Sequence, residues 1–583
     1  MFITSLLRLS LIVVVSFNLA LAQVVDDKSK ENEKQQIALF EQIAKDAEAL
    51  RLPENRALIS AKLAEGLWRF DEKRARAFFQ ASVGELITAQ IQAEANKKQA
   101  GMLYGLVNGI SPRQEILTMI AARDAEFALD AFYKSRPAKI AQILINPEEF
   151  KKPTSQQFVQ NEIYFEQSLI ARVSEQNPQR AIKLIRESLA KSVTYEAIGL
   201  IEKIKVKDPE LAAEFAGEVA DKLLATDFNK TNQDFSIAGS FVTQYGKKPE
   251  EGEKMVKVDE KKLRGLAALI AKNILKADED YHYEIESLLP IIEKFAPENV
   301  AALKQRKARM ENTSERREYA AYEKFIESNP SPEKLLSEAE KFPESFRNQI
   351  YYAAAEKSAQ TGNVAQAQKI ISTNMSQEEA ENYLTQINYS LISKAITDGR
   401  FEEANLLINE IPAENARFAS LVQLATSIYQ KNPAENKKQT LAILEQARAI
   451  IPQPAETIEE MSNLMQLAMT LAEIEPEQSF QTIEAMTQPI NEYVEASAIV
   501  SKYRNEGMLR QGEMVINSYG GVSGFYNLNP VLTRIKNKDF KRTLSFINGF
   551  QRLEVRVNLL IQLIDLTPPE SKTNIGPTIL LGK

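Results

Sequence analysis

A short turn motif that recurs at helical-hairpin spacing constrains this 583-residue chain more than any other feature. The segment Ile120-x-x-Arg-Asp-Ala-Glu-Phe-Ala128 returns as Ile204-x-x-Lys-Asp-Pro-Glu-Leu-Ala212. Related turns are Asn177-Pro-Gln-Arg-Ala181 and Asp71-Glu-Lys-Arg-Ala75. Pro178 and Pro209 lie 31 residues apart, room for one helix, a tight turn and a second helix. In each turn an Asp or Asn (Asp71, Asp124, Asn177, Asp208) can cap the following helix, and a small Ala lets two helix backbones approach. A lone helical hairpin cannot bury its apolar face, so each must stack on the next. The expected fold class is all-α, with helical-hairpin repeats stacked as an α-solenoid, in one array or two.

Helical signals continue between these turns. Phe401, Ala404, Leu407, Ile408 and Ile411 fall on one face at a period of 3.6. Ser376-Gln-Glu-Glu379 reads as a capping box. Ser111-Pro-Arg-Gln114 and Ser331-Pro-Glu-Lys334 place Pro at the first helical position, where its missing N–H costs nothing. Pro53, Pro343 and Pro412 mark further helix starts. Only 21 Gly interrupt the chain, and runs that alternate with period 2 are essentially absent, so no strand is expected.

In the second half Gly362-Asn-Val-Ala-Gln-Ala367 is matched 37 residues later by Gly399-Arg-Phe-Glu-Glu-Ala404. Gly suits the end of one helix and Ala the close crossing of the next. This pattern resembles the tetratricopeptide repeat over residues 350–430, with Gly399, Phe401 and Ala404 in the places of its turn. The early Trp–Leu–Gly signature of that repeat is missing, and Pro412 follows soon after the second helix. The first half has another likeness. The stretch from Leu67-Trp-Arg-Phe-Asp71 to Phe79, the Arg123-Asp124 turn, Asn177-Pro178-x-x-Ala181 and Glu187-Ser-Leu189 are similar to a group of exported helical proteins of soil bacteria. That resemblance covers roughly residues 40–225. It implies a helical-repeat fold and export, and it brings no activity with it.

The chain opens with Arg8, an apolar run from Leu9 to Leu21, and Ala20-Leu21-Ala22 before Gln23. This reads as a signal peptide over residues 1–22, cleaved between Ala22 and Gln23. The expected plan continues with a flexible charged leader (23–36) and an N-terminal helical-repeat array (37–245). A charged loop with linking helices (246–318), a tetratricopeptide-like array (319–505), and short C-terminal helices with a tail (506–583) follow. No later stretch is long and apolar enough to span a membrane. The expected destination is the periplasm or the extracellular space, as a soluble protein.

Composition excludes much chemistry. The net charge of −7 becomes −8 once residues 1–22, with Arg8 and no acid, are removed. That lacks the broad positive field a nucleic-acid binder needs. With no Cys and one His, His282, thiolate metal sites, Cys nucleophiles and paired imidazoles are ruled out. No G-x-S-x-G or H-E-x-x-H surrounds the lone His. Ser331-x-x-Lys334 fits the pattern of serine acyl enzymes, but a Ser cap before Pro explains it fully. Gly520-Gly-Val-Ser-Gly524 has neither the preceding strand nor the following Lys of a phosphate loop, and reads as a connection that can present Phe525 and Tyr526. Lys304, Arg306, Lys307 and Arg309 could form an anion patch, yet Glu311, Glu315 and Glu318 beside them favour a solvated helix. Trp68, beside Leu63, Leu67 and Phe70, reads as core packing. No cofactor, metal or catalytic residue is expected, and oligomeric state leaves no mark on the sequence. The functional expectation is an exported, non-enzymatic scaffold or adaptor for a protein or peptide partner. The alternative is a cell-envelope enzyme of glycan or cell-wall metabolism, with two close carboxylates in a helical toroid.

Overall fold

The computed structural model describes residues 36–95, 111–146, 153–226, 228, 232–247, 256–277, 282–311, 314–504, 509–516 and 528–564. Ala22, Gln23, the leader up to residue 35 and the Gly520–Gly524 segment lie outside the described residues. Among the described residues the fold is all-α apart from one minimal hairpin of strands. It divides into two compact units. One is built from Met1–Ala141 together with Pro452–Lys583, and the other from Gln142–Ile451.

The second unit is a run of helical hairpins. First helices stack on first helices: Pro153–Val173 on Tyr195–Lys207, Asn232–Gly246 on His282–Phe295, and Glu344–Gln360 on Gln377–Thr397. Second helices form the other layer, with Pro178–Leu189, Pro209–Leu224, Glu260–Lys276 and Val300–Glu311 in succession. The turn chemistry works as its residues dictate. Asn177 Oδ1 accepts the Arg180 N–H at 3.1 Å and Asp208 Oδ1 the Leu211 N–H at 3.0 Å. Pro178 and Pro209 follow at the first helical position. Ala181 and Ala212 are wholly buried where the helices cross. Residues 246–318, expected as a charged loop with linking helices, contribute regular layer helices of this unit from 260 onward.

Gly362 and Gly399 end their helices in the left-handed region, at φ +91° and +74°. Asn363 N–H reaches Ser358 O and Gly362 N–H reaches Ala359 O, each at 2.9 Å. Arg400 to Ala395 (2.8 Å) and Gly399 to Ile396 (3.0 Å) repeat the pattern, so both turns are Schellman motifs. Ala367 and Ala404 are fully buried in the helices that follow. Phe401 is half-buried, with Lys431 Nζ 5.1 Å from its ring centre. These turns give a signed prediction. Gly362→Ala should lower stability by about 1–2 kcal/mol, because a Cβ is strained at positive φ. Gly199→Ala, in a helix with open space around it, should raise stability by about 0.5–1 kcal/mol. Urea melts followed by circular dichroism check both signs within one unit.

The first unit joins chain segments far apart in sequence. Pro53–Leu67 packs on Glu72–Ala95, on Pro112–Ala121, and also on Leu553–Ile561. Ile458–Ile474 packs on Pro476–Ala485 and Asn529–Ile535. Asp124 caps its helix through the Phe127 N–H at 3.0 Å, and Asp71 accepts the Arg74 N–H at 2.9 Å. Arg76, one turn beyond Asp71, bridges to Asp124 at 2.7 Å. The absence of strands expected from the sequence is corrected here. Leu509–Arg510 pairs antiparallel with Glu513–Met514. The two-residue turn between them has Gln511 at φ +51° and Gly512 at φ +77°, the backbone twist that suits a tight hairpin. Alternation could not reveal strands of two residues each.

This hairpin seats on the start of Pro53–Leu67. Asn55, fully buried, donates from Nδ2 to Glu513 Oε1 (2.6 Å) and to Met514 O (2.8 Å), and its Oδ1 accepts the Ile516 N–H at 2.7 Å. Glu513 also accepts the backbone N–H groups of Arg51 and Leu52. Glu54, 3% exposed, pairs with Arg510. Glu554 Oε1 takes the Met514 N–H at 3.0 Å and Arg552 Nε at 2.7 Å. The described residues beyond 506, expected as short helices and a tail, include the short helices Asn529–Ile535, Phe540–Asn548 and Leu553–Ile561, and they also supply part of this unit's core and its polar clasp.

Candidate functional site

Asp71, Asp124, Pro178, Pro209, Gly362, Ala367, Gly399 and Ala404 cap, start, end or cross helices, as described above. Ser331 accepts the Lys334 N–H at 3.4 Å, and Lys334 is exposed. Lys304 pairs with Glu293 (2.8 Å) and Lys307 with Glu286 (3.5 Å). Arg306 donates to Ala277 O at 2.6 Å and so closes the end of the preceding second helix. His282 opens its helix, and its side chain lies outside the described residues. Trp68 is half-buried. Its ring meets Phe79 at 5.9 Å, with the Arg76 and Arg123 guanidinium carbons 4.9 and 6.0 Å from its centre.

A cleft of about 720 Å³ opens in the second unit between three first helices, Tyr195–Lys207, Asn232–Gly246 and His282–Phe295. Each wall has a local cause. Tyr195 enters just after buried Thr194, whose Oγ1 accepts the Glu196 N–H at 3.2 Å and donates to Gln167 Oε1 at 2.7 Å. Ser236, Ser240 and Thr243 follow at i, i+4 and i+7 and present a stripe of hydroxyls. Tyr245 closes the stripe, packed on Phe241 with ring centres 4.7 Å apart. Its OH donates to Glu202 Oε1 at 3.0 Å, and Lys205 pairs with the same carboxylate. Lys294 Nζ caps the helix behind it at Gly246 O, 2.7 Å. Burial first, then the Glu202 carboxylate, hold the Tyr245 phenol well above the usual tyrosine range. It stays a neutral hydrogen-bond donor.

These groups can hold a polar chain through hydroxyl, amide and phenol contacts. Lys205 is already committed to Glu202, so the lysine does not present a free cation at that wall. The lining contains no Cys. Among the described residues no cluster of three or more His, Asp or Glu could hold a metal ion. Sequence reasoning missed the cleft. Its one legible signal was the spacing Ser236, Ser240, Thr243, where hydroxyls replace the charged pairs of an ordinary solvated face.

Elsewhere in the second unit lies a strip of aromatic rings. Tyr322 stacks on Phe346 at 4.7 Å, Phe325 on Phe342 at 5.2 Å, and Tyr352 meets Tyr383 at 5.2 Å. Tyr319, 54% exposed, lies 6.1 Å from Phe346. The strip crosses three successive first helices, Ser314–Glu327, Glu344–Gln360 and Gln377–Thr397, and rests on buried Ile350, Ala354 and Ile387.

No family model matches the chain, and no curated protein does. Two solved structures align over most of its length. A circular tandem repeat protein with novel repeat topology and enhanced subunit contact surfaces is 11% identical, covers 86% of this chain and 99% of its own, and has a TM-score of 0.19. A homology model of the full-length AP-3 complex in an intermediate open conformation is 12% identical, covers 91% of this chain and 90% of its own, and has a TM-score of 0.22. At these scores the assignment to helical repeats rests on the chain's own helix contacts. Among the described residues no helix is long and apolar enough to cross a membrane.

Proposed function

We propose that this chain is an exported, non-enzymatic helical-repeat scaffold that binds a protein or peptide partner through the first-helix layer of its second unit. The hydroxyl-lined cleft between Tyr195–Lys207, Asn232–Gly246 and His282–Phe295 carries this reading. Its Ser236, Ser240 and Thr243 offer neutral donors and acceptors along one helix face, which suits an extended backbone. Export rests on the signal-like opening with its Ala22–Gln23 junction.

A photo-crosslinking residue at Ser240, tested in cells that make the protein, checks the binding face. Covalent adducts with a defined protein are expected from position 240. None is expected from exposed Lys183 on the second-helix layer. Absence of adducts at 240, together with turnover of cell-wall glycan by the purified chain, overturns the scaffold reading.

A further inference from the structure

We infer that the strip of tyrosines in the second unit is a binding site for the basic side chains of an extended peptide. The inference rests on the scaffold reading and names the chemistry of the partner.

Three observations combine. First, Tyr319, Tyr322, Tyr352 and Tyr383 bring four phenol rings together across three helices. Burial, then the neighbouring Tyr319 and Tyr383, push the Tyr322 phenol up. Burial, then Glu356 and Tyr383, do the same at Tyr352. These rings therefore stay neutral and keep electron-rich faces, and such faces attract cations when water is partly excluded. Second, Glu356 sits one helical turn beyond Tyr352 and beside the strip. It accepts only neutral donors, Ser390 Oγ at 3.2 Å and Gln360 Nε2 at 3.2 Å. No cation of the described residues pairs with it. Third, the basic groups of the two helices Glu344–Gln360 and Gln377–Thr397 are already engaged. Arg347 holds Phe342 O (2.9 Å) and Glu340 (3.1 Å), Lys357 holds Pro330 O (2.6 Å), and Lys394 holds Gln360 O (2.9 Å).

A carboxylate without a cation, at the edge of a partly desolvated aromatic floor, is completed by a guanidinium or an ammonium. A neutral sugar would stack on the rings and leave that charge uncompensated. Three helices at packing distances of about 8–10 Å span roughly 20 Å. That matches about six residues of extended chain. The occupant is thus an extended segment with Arg or Lys at alternate positions. The same chain already pairs cations with rings elsewhere, as Lys431 does over Phe401.

The test uses the full chain at physiological ionic strength and fluorescein-labelled octa-arginine, with octa-citrulline as its neutral counterpart, read by anisotropy. Glu356→Gln, close in shape to the native residue, is expected to weaken octa-arginine about fivefold to tenfold, and Tyr383→Leu by a similar factor. Octa-citrulline should not bind at the same concentrations. Glu187→Gln removes the same charge from the exposed second-helix layer and should leave binding unchanged. Equal weakening by Glu187→Gln and Glu356→Gln would reduce the effect to the overall negative charge and overturn the site. So would a neutral hexasaccharide whose binding is lost in Tyr383→Leu and kept in Glu356→Gln. Either failure, with the Ser240 adducts retained, sinks this inference and leaves the scaffold reading standing.

Discussion

Replacing Asn55 with Leu is expected to destabilise the first unit by about 3–5 kcal/mol, the range for removing one member of a buried hydrogen-bonded charge network. Asn55 satisfies three buried groups at once: the Glu513 carboxylate, the Met514 carbonyl and the Ile516 N–H. Leu has similar volume but returns none of those bonds. Glu513 is 5% exposed, so water cannot replace the lost donor without opening the clasp. The chain has a built-in reporter, because Trp68 is its only Trp and belongs to the first unit. In a urea titration the Trp68 emission transition should move to lower denaturant, and the part of the circular dichroism signal that belongs to Gln142–Ile451 should hold its midpoint. A loss below about 1 kcal/mol would show that the clasp is solvated and contributes little.

Legibility followed the range of the physics. What is decided within one helical turn could be read: the Ser376–Glu379 capping box, the Asn177-Pro178 and Asp208-Pro209 starts, and the glycines at 362 and 399 whose positive φ no other residue adopts cheaply. The fold class followed, because stacked hairpins need little beyond such local signals. What depends on distant partners could not be read. Asn55 looks like any polar residue early in a helix until Glu513 and Ile516 arrive 458 and 461 residues away. The hairpin at 509–514 is too short for a period. The boundary near residue 141 falls inside the helix Ala138–Ile145, with no change of composition to mark it. The cleft is built from the faces of three helices, none unusual alone. The aromatic strip combines i, i+3 neighbours on one helix, Tyr319 and Tyr322, with rings supplied by the next two. Sequence reasoning weighed Trp68, His282 and the Gly-rich segment one at a time, and a site assembled across a layer leaves no single residue to weigh.

Truncation after residue 504 should abolish the fold of the first unit and spare the second. The deletion removes Glu513 and Glu554, the acceptors that hold the backbone of Leu52 and Met514 and the side chain of Asn55. It also strips Leu553–Ile561 from its seat on Pro53–Leu67, with the fully buried Val557, Leu560 and Leu563. Burying such side chains is worth about 1.5–3 kcal/mol each. Losing several of them along with the clasp exceeds the 5–15 kcal/mol that a domain holds in reserve. Gln142–Ile451 is one continuous stretch whose hairpins cover one another, so nothing in its core leaves with the C-terminus. Limited proteolysis of the truncated chain should therefore degrade residues 36–141 and leave a resistant fragment that starts near 142. Before proteolysis, the Trp68 emission of the truncated chain should match that of the urea-unfolded full chain. The same discontinuity has a kinetic counterpart, because the first unit cannot complete its core until nearly the whole chain is present. Survival of a folded 36–141 segment without residues 509–564 would mean that those helices suffice alone, and that the bonds from Asn55 to the C-terminal hairpin are an accessory to a fold already made.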